Sequence, residues 1–138
     1  MVITMAAKHI IDVKTTTRSQ VVNVTSLVRS AIRAVGIDDG LACVYCPHTT
    51  AGITLQENTD PNVKRDLISQ LAAMVPRDGD YATTEDNSDA HIKSSLIGNS
   101  ITFIIEAGKP VLGTWQAIYF CEFDGPRNRT LMVKVVPT

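Results

Sequence analysis

A chain of 138 residues that is 44% hydrophobic with a formal net charge of −1 can bury one sizeable core and carries no basic field to attract nucleic acid. No apolar run approaches the ~20 residues that span a bilayer, and Met1-Val2-Ile3-Thr4-Met5 lacks the basic start and longer apolar stretch of a signal peptide. The expected location is the cytoplasm, with no membrane or nucleic-acid partner, and an odd count of three cysteines argues against a disulfide framework.

No repeat, low-complexity tract or linker interrupts residues 1–138, which are expected to form a single domain. Alternation over residues 8–16 predicts a strand, with 20–24 as its hairpin partner. Thr25 then suits an N-cap for a helix whose Leu27, Val28, Ala31, Ile32 and Val35 form one stripe, closed by Gly36. Residues 41–45 read as a strand and 53–56 as its neighbour. Cys43 and Cys46 have the C-x2-C spacing of a zinc ligand pair, but on a strand residues three apart point to opposite faces, and no second pair completes four ligands. Cys43 and Cys121 are therefore read as small core residues, while Cys46 borders a polar loop.

Asp60-Pro61 opens the clearest helix: Asp suits the cap, and Pro at the first helical position loses no hydrogen bond. Val63, Leu67, Ile68, Leu71, Ala72 and Val75 make its apolar face, Lys64, Arg65 and Asp66 face water, and Pro76 stops it. Residues 77–87 hold no periodicity and are read as a loop. Asn87 or Ser88 caps a short helix through Ile97 that ends at Gly98-Asn99. Three strands follow, at 100–106, 115–124 and 129–136, with turns at Gly108-Lys109-Pro110 and Asp124-Gly125-Pro126-Arg127. That order predicts an α+β fold of largely antiparallel packed sheets with two to three helices.

Three polar clusters punctuate these elements. The first, Cys46-Pro47-His48-Thr49-Thr50-Ala51-Gly52 and then Glu57-Asn58, offers an imidazole, adjacent hydroxyls, a carboxylate and an amide. Thr49 and Thr50 either satisfy turn amides or face a ligand, which Gly52 would let approach closely. Glu57 is a base or ligand at a strand end, and Asp60 a cap. The second cluster is Asp86-Asn87-Ser88-Asp89-Ala90-His91-Ile92-Lys93-Ser94-Ser95, on whose helix the stripe His91, Ser94, Ser95 and Gly98 is polar or small, opposite Ile92 and Leu96. It either packs on another element or presents an imidazole and hydroxyls to an anion near the helix amino end. The third runs through Gly113-Thr114-Trp115-Gln116 to Glu122-Phe123-Asp124-Gly125-Pro126-Arg127-Asn128-Arg129. A lone Glu122 among apolar neighbours is more often an edge residue than a carboxylate in a pocket, whereas the two arginines either clamp phosphate or carboxylate or sit at a solvated hairpin tip. His9 is read as structural or exposed. His48, His91 and one carboxylate, Glu122, would suffice for an open divalent-metal site, but the 43 residues between the histidines carry no local metal signature.

The blocks His48-Thr49-Thr50-Ala51-x-x-Thr54-x-x-Glu57-Asn58-x-Asp60-Pro61, Ala90-His91-Ile92-Lys93-Ser94-Ser95-x-x-Gly98-x-Ser100 and Leu112-Gly113-Thr114-Trp115-Gln116 resemble the YjbQ family of secondary thiamine-phosphate synthases. The resemblance spans nearly the whole chain in order. It implies a compact α+β fold, a homotrimer, and a pocket near a subunit boundary. It also implies weak coupling of a pyrimidine pyrophosphate to a thiazole phosphate, in which diphosphate leaves as a carbocation-like centre forms. Cations or a divalent metal, Mg or Zn, would hold the leaving group, work that suits Lys93, Arg127, Arg129 and the hydroxyls of Thr49, Thr50, Ser94 and Ser95. His48, His91 and Glu57 are the expected catalytic groups, with Asn58, Trp115 and Gln116 against substrate. In one place the chain departs from the family: members often carry another histidine soon after the tyrosine matching Tyr81, where Ala82-Thr83-Thr84 stand here. A non-catalytic metabolite- or metal-binding protein, and a trimeric scaffold using the Trp115 strand as an interface, are the competing expectations.

Overall fold

Two antiparallel sheets carry the chain, and the polypeptide crosses between them more often than local periodicity suggests. The computed structural model describes residues 7–138; residues 1–6, which include the Met1–Met5 start read above, lie outside them. Its elements are β1 (Ala7–Lys14), β2 (Gln20–Asn23), α1 (Thr25–Val35), β3 (Gly40–Tyr45), β4 (Ala51–Glu57), α2 (Pro61–Met74), α3 (Ser88–Ile97), β5 (Ser100–Glu106), β6 (Lys109–Pro110), β7 (Gln116–Glu122) and β8 (Asn128–Pro137). One sheet runs β1-β8-β3-β5-β6 and the other β2-β7-β4.

Ile11 and Val13 of β1, Ala42 and Val44 of β3, Phe103 and Ile105 of β5, and Leu131, Val133 and Val135 of β8 cover one face of the larger sheet. They meet Val28, Ala31 and Ile32 of α1 together with Ile53, Ile118 and Phe120 of the smaller sheet. On that smaller sheet's other side, Cys121 and Phe123 pack with Leu71 of α2 and Ala90 of α3. β7 is therefore central and covered on both faces, so residues Ala117 to Phe123 are all buried. Alternation fails there because neither face meets water.

Two strand pairings differ from expectation for one reason. β1 pairs with β8 and β2 with β7, so they form no hairpin. β4 likewise pairs with β7 and is no neighbour of β3, whose two edges are taken by β5 and β8. In both cases a short loop carries the chain to the other sheet, which a pattern of periods cannot register.

The caps follow local chemistry more closely. Asp60 accepts a hydrogen bond from the Asn62 amide at 2.9 Å, and Pro61 takes the first helical position. Gly36 closes α1 in the left-handed conformation at φ 76°. Thr25, however, is helical rather than the cap. Its hydroxyl donates to Asn23 Oδ1 at 2.7 Å and accepts from the Ile118 amide at 2.9 Å, pinning α1 to β7. Lys64, expected to face water, lies over the Tyr119 ring at 5.5 Å. The expected turn at Gly108-Lys109-Pro110 is made one residue earlier by Ala107 and Gly108, both with positive φ, and Lys109–Pro110 is already a strand.

The outer face of the larger sheet is uncovered and partly apolar. Ile10, Leu41, Tyr45, Ile104 and Val136 are exposed, and Leu41 stands directly between Ile104 and Val136 in register. Cys43 lies on this face, half-buried, rather than in the core. No helix among the described residues is long and apolar enough to cross a membrane.

The end of α3 packs tightly over Gly52 of β4. A Cβ there would stand 2.7 Å from the Gly98 carbonyl oxygen and 2.9 Å from Ile97 Cγ2. Gly52→Ala is accordingly expected to lower stability by about 1–3 kcal/mol through overpacking, read as a lower urea midpoint with unchanged slope.

Candidate functional site

The site is built where β3 ends and the chain changes sheets. The Cys46 amide donates to the Asn99 carbonyl at 2.7 Å, which ties the loop to the end of α3. Pro47 biases the preceding Cys46 toward an extended backbone, and His48 turns back onto β8. Its Nε2 lies 3.0 Å from the Thr130 amide nitrogen and 3.1 Å from the Thr130 carbonyl oxygen. β3 stops pairing with β8 at Tyr45 opposite Met132, and the imidazole meets the Thr130 backbone that a continued strand would have faced two residues further on, at position 47. Burial, then the positive charge of Arg129, lowers the His48 pKa. A neutral ring follows, with Nε2 accepting from the Thr130 amide and Nδ1 carrying the proton; the tautomer is assigned from these hydrogen bonds.

α3 forms the facing wall, and its polarity is inverted. Asp89, Lys93 and Ser94 are buried, while Ile92 and Leu96 are 40% and 57% exposed. The inversion is stabilised by charge pairing. Asp89 accepts from Arg18 Nη2 at 3.0 Å, Arg18 Nη1 at 3.1 Å and Lys93 Nζ at 2.8 Å. Burial alone would raise the Asp89 carboxyl, but the hydrogen bonds and charges of Arg18 and Lys93 prevail and hold it at about 2. Ser94 Oγ donates to the Ala51 carbonyl at 2.6 Å and the Ile53 amide to the Gly98 carbonyl at 3.1 Å, so α3 is laced onto β4 along its length. His91 and Ser95 are left on the free side.

Between these walls lies a cleft of two joined hollows. One, of about 530 Å³, is lined by His48, Thr49, His91, Ser94, Ser95, Gly98 and Asn99. The other, of about 350 Å³, shares His48, Thr49 and His91 and continues past Thr50 and Asn87 to Asp124, Arg127 and Arg129. Two imidazoles 43 positions apart in the chain thus face one space.

Beneath the second hollow, Glu122 of β7 and Arg129 of β8 join the two sheets through the interior. The carboxylate is 0% exposed and the guanidinium residue 6%. Glu122 Oε1 accepts from Arg129 Nε at 2.9 Å and from the Thr15 hydroxyl at 2.7 Å. Its Oε2 accepts from Arg129 Nη2 and from the Phe123 and Asp124 amides, each of those two at 3.1 Å. Burial would raise the Glu122 carboxyl; the donors outweigh it and the group is held below its ordinary range. Arg129 Nη2 also donates to Thr50 Oγ1 at 2.8 Å. Above this pair, Asp124 Oδ2 accepts from Asn87 Nδ2 and from Arg127 Nη2, both at 3.0 Å.

Of the residues singled out from the sequence, His48, Thr49, Thr50, His91, Ser94, Arg127 and Arg129 line this cleft. Glu57, Asn58, Trp115 and Gln116 do not. β4 and β7 pair Ala51 with Glu122 at one end and Glu57 with Gln116 at the other, which puts roughly 20 Å between the two groups at about 3.3 Å per residue. There the Tyr119 hydroxyl donates to Asn58 Oδ1 at 2.7 Å, and Gln116 Oε1 accepts from the Gly113 amide at 2.8 Å. Lys93 is withdrawn onto Asp89. Glu122 is not an edge residue but fully buried, and both of its oxygens are engaged by Arg129, Thr15 and backbone amides. Among the described residues no group of three His, Cys, Asp or Glu side chains is placed to hold a metal ion.

Asn87, Asp89 and Asp124 fall within the polar clusters but take no site role from the sequence, and Asn99 and Arg18 are not singled out there. Asp89 and Lys93 stand at i and i+4, a pairing visible in the sequence. Arg18, reaching from a loop 71 residues away, had no local signal.

An α+β fold of two antiparallel sheets with a histidine-bearing cleft between a sheet-crossing loop and a short helix is the class of protein these features define. The model of the family described as UPF0047 protein YjbQ-like matches residues 9–138, and the chain belongs to that family. It is 51% identical over 136 residues to UPF0047 protein MJ1081 of Methanocaldococcus jannaschii, covering 99% of this chain and 97% of that one. A solved YjbQ/UPF0047-family structure from Clostridium acetobutylicum is 52% identical with a TM-score of 0.90, over 93% of this chain and 99% of that one. A YbjQ-like protein structure from Sulfolobus solfataricus, 26% identical, superposes with a TM-score of 0.91 over 96% and 98% of the two chains.

Two outcomes follow. Arg129→Ala leaves the Glu122 charge buried and unpaired, and is expected to cost about 3–5 kcal/mol by chemical denaturation, whereas Glu122→Leu combined with Arg129→Met recovers most of it. Because the folded His48 pKa is depressed, its contribution is fully present above the unfolded value of about 6.5 and is lost as pH falls below it. Stability measured between about pH 7 and 5 is expected to decline less steeply in His48→Asn than in the unaltered protein.

Proposed function

We propose that the protein is an enzyme acting on a small phosphorylated metabolite bound in the cleft between His48 and His91. The observation that supports this best is the convergence of the two imidazoles, the Thr49, Ser94 and Ser95 hydroxyls and two arginines on one cleft of two joined hollows. His91, exposed on the free side of α3, is placed to hold or move a proton at a bound ligand, while neutral His48 offers Nδ1–H as a donor. The family resemblance makes thiamine-phosphate synthase-like transfer the specific candidate. There the C–O bond from the pyrimidine methylene breaks, diphosphate leaves with the electron pair, and the thiazole nitrogen forms the new C–N bond. Arg127 and Arg129 would hold diphosphate oxygens.

A divalent metal, Mg or Zn, fits this chain only in part. His48 and His91 would supply two ligands, but the expected third, Glu122, is committed to Arg129. No step is derived through a metal.

Self-association, as the homotrimer the resemblance implies, is supported by the uncovered apolar face of the larger sheet. Tyr45 on that face pairs with Ser100, next to Asn99 in the cleft wall, so a subunit seated there would lie close to the hollow. A non-catalytic binding role is the second reading. It is favoured by the pairing of each cleft arginine with its own carboxylate, which limits the free positive charge offered to a leaving group.

His91→Ala is expected to abolish turnover of a pyrimidine pyrophosphate with a thiazole phosphate, or of a related phosphorylated substrate, while the melting temperature stays nearly unchanged. Loss of the fold would make His91 structural. Binding of these compounds without product formation, with or without added Mg²⁺ or Zn²⁺, would favour the second reading.

A further inference from the structure

The cleft is not uniform along its length, and the asymmetry bears on how a ligand lies in it. The larger hollow continues from the two histidines to Ser94, Ser95, Gly98 and Asn99, and no aspartate, glutamate, lysine or arginine lines it. The cation nearest in sequence, Lys93, turns into the protein and donates to Asp89 at 2.8 Å. Both arginines stand at the opposite end, in the smaller hollow. Arg129 is fixed there before any ligand arrives: Nε and Nη2 are held by Glu122 and Thr50, so the guanidinium cannot swing away. Its Nη1 makes no hydrogen bond to the described residues and is not closed off from solvent, leaving a rigid edge with two donors. Arg127, by contrast, is mostly exposed and pairs with Asp124 at 3.0 Å, an exchangeable surface contact that an incoming anion can share.

We infer that the cleft takes its ligand in one direction, with a single phosphate or diphosphate group against Arg127, Arg129 and Thr49. The uncharged, hydrogen-bonding remainder lies in the Ser94–Asn99 hollow, and the two imidazoles flank the junction. This rests on the phosphorylated-metabolite reading and narrows it. The substrate class is a phosphate or diphosphate ester of a compact neutral body bearing hydroxyl, amide or ring-nitrogen groups. A molecule with phosphate at both ends would find no cation for the second anion, and of the two phosphorylated partners in thiamine-phosphate synthase-like transfer one chain's cleft would hold only one.

The test uses the unaltered full chain and inorganic phosphate, followed by amide chemical shifts in two-dimensional NMR. Phosphate is expected to move the amides of Thr49, Thr50, Arg127 and Arg129 and to leave those of Ser94 to Asn99 in place. Arg127→Ala is expected to weaken phosphate binding by about tenfold, the loss of one charge-assisted contact. Ser95→Ala leaves it within about twofold, the loss of no phosphate contact. Shifts centred on Ser94 to Asn99, equal weakening by both variants, or no shifts in the cleft at all would overturn the orientation. The two readings separate cleanly. Turnover of a phosphate ester with phosphate seated at the serine end keeps the enzyme and removes this assignment. Phosphate seated at the arginines of a protein that converts nothing keeps the assignment and removes the enzyme.

Discussion

The ion pair between Glu122 and Arg129 is the constraint on which the rest of the arrangement depends. A carboxylate with no solvent exposure persists only if each oxygen is satisfied, and here the donors come from β1's end, from β7 and from β8. The pair thus connects both sheets at the point where the chain passes from one to the other. Arg129 also grips Thr50, so the loop bearing His48 and Thr49 is held by the same guanidinium that fixes the floor of the cleft. Such a pair adds little stability relative to apolar residues of similar size. Its contribution is positional, because packing alone would not set the height of that loop over β8.

A second set of buried charges orients the opposite wall. With Arg18, Asp89 and Lys93 on its inner side, α3 has to show Ile92 and Leu96 to the outside and leave His91 over the hollow. Rotating the helix to bury its leucine and isoleucine would carry Asp89 and Lys93 out to water and leave the mostly buried Arg18 guanidinium without its carboxylate, besides breaking the Ser94 hydrogen bond to β4. The cleft is therefore framed by ionic anchors on both sides, while the apolar core behind it supplies cohesion.

How much of this could be read beforehand follows from which interactions are local. The α2 start at Asp60-Pro61, the left-handed stop at Gly36, the limits of α3 and the α+β order all rest on neighbours within a few positions, and all were legible. Strand partners were not: β1 with β8 and β4 with β7 join residues far apart, and a hairpin is the default only when the chain stays in one sheet. For the site, His48, Thr49, His91 and the arginines were found because loops and helix ends concentrate such groups. Glu57, Asn58, Trp115 and Gln116 were grouped with them by nearness in sequence, yet a fully extended β4 carries Glu57 to the far end of the sheet. Glu122 looked like an edge carboxylate or a metal ligand because its partner, Arg129, lies across a turn on another strand.

The imidazole of His48 plays two parts at once, as a wall of the hollow and as the substitute neighbour for Thr130 at the margin of β8. Occupancy and folding consequently share one titrating ring. Any guest that draws a proton onto that nitrogen removes the lone pair that receives the Thr130 amide and loosens the strand's border. One that leaves the ring neutral, and accepts its remaining N–H, reinforces the same border and tightens the folded chain as it binds.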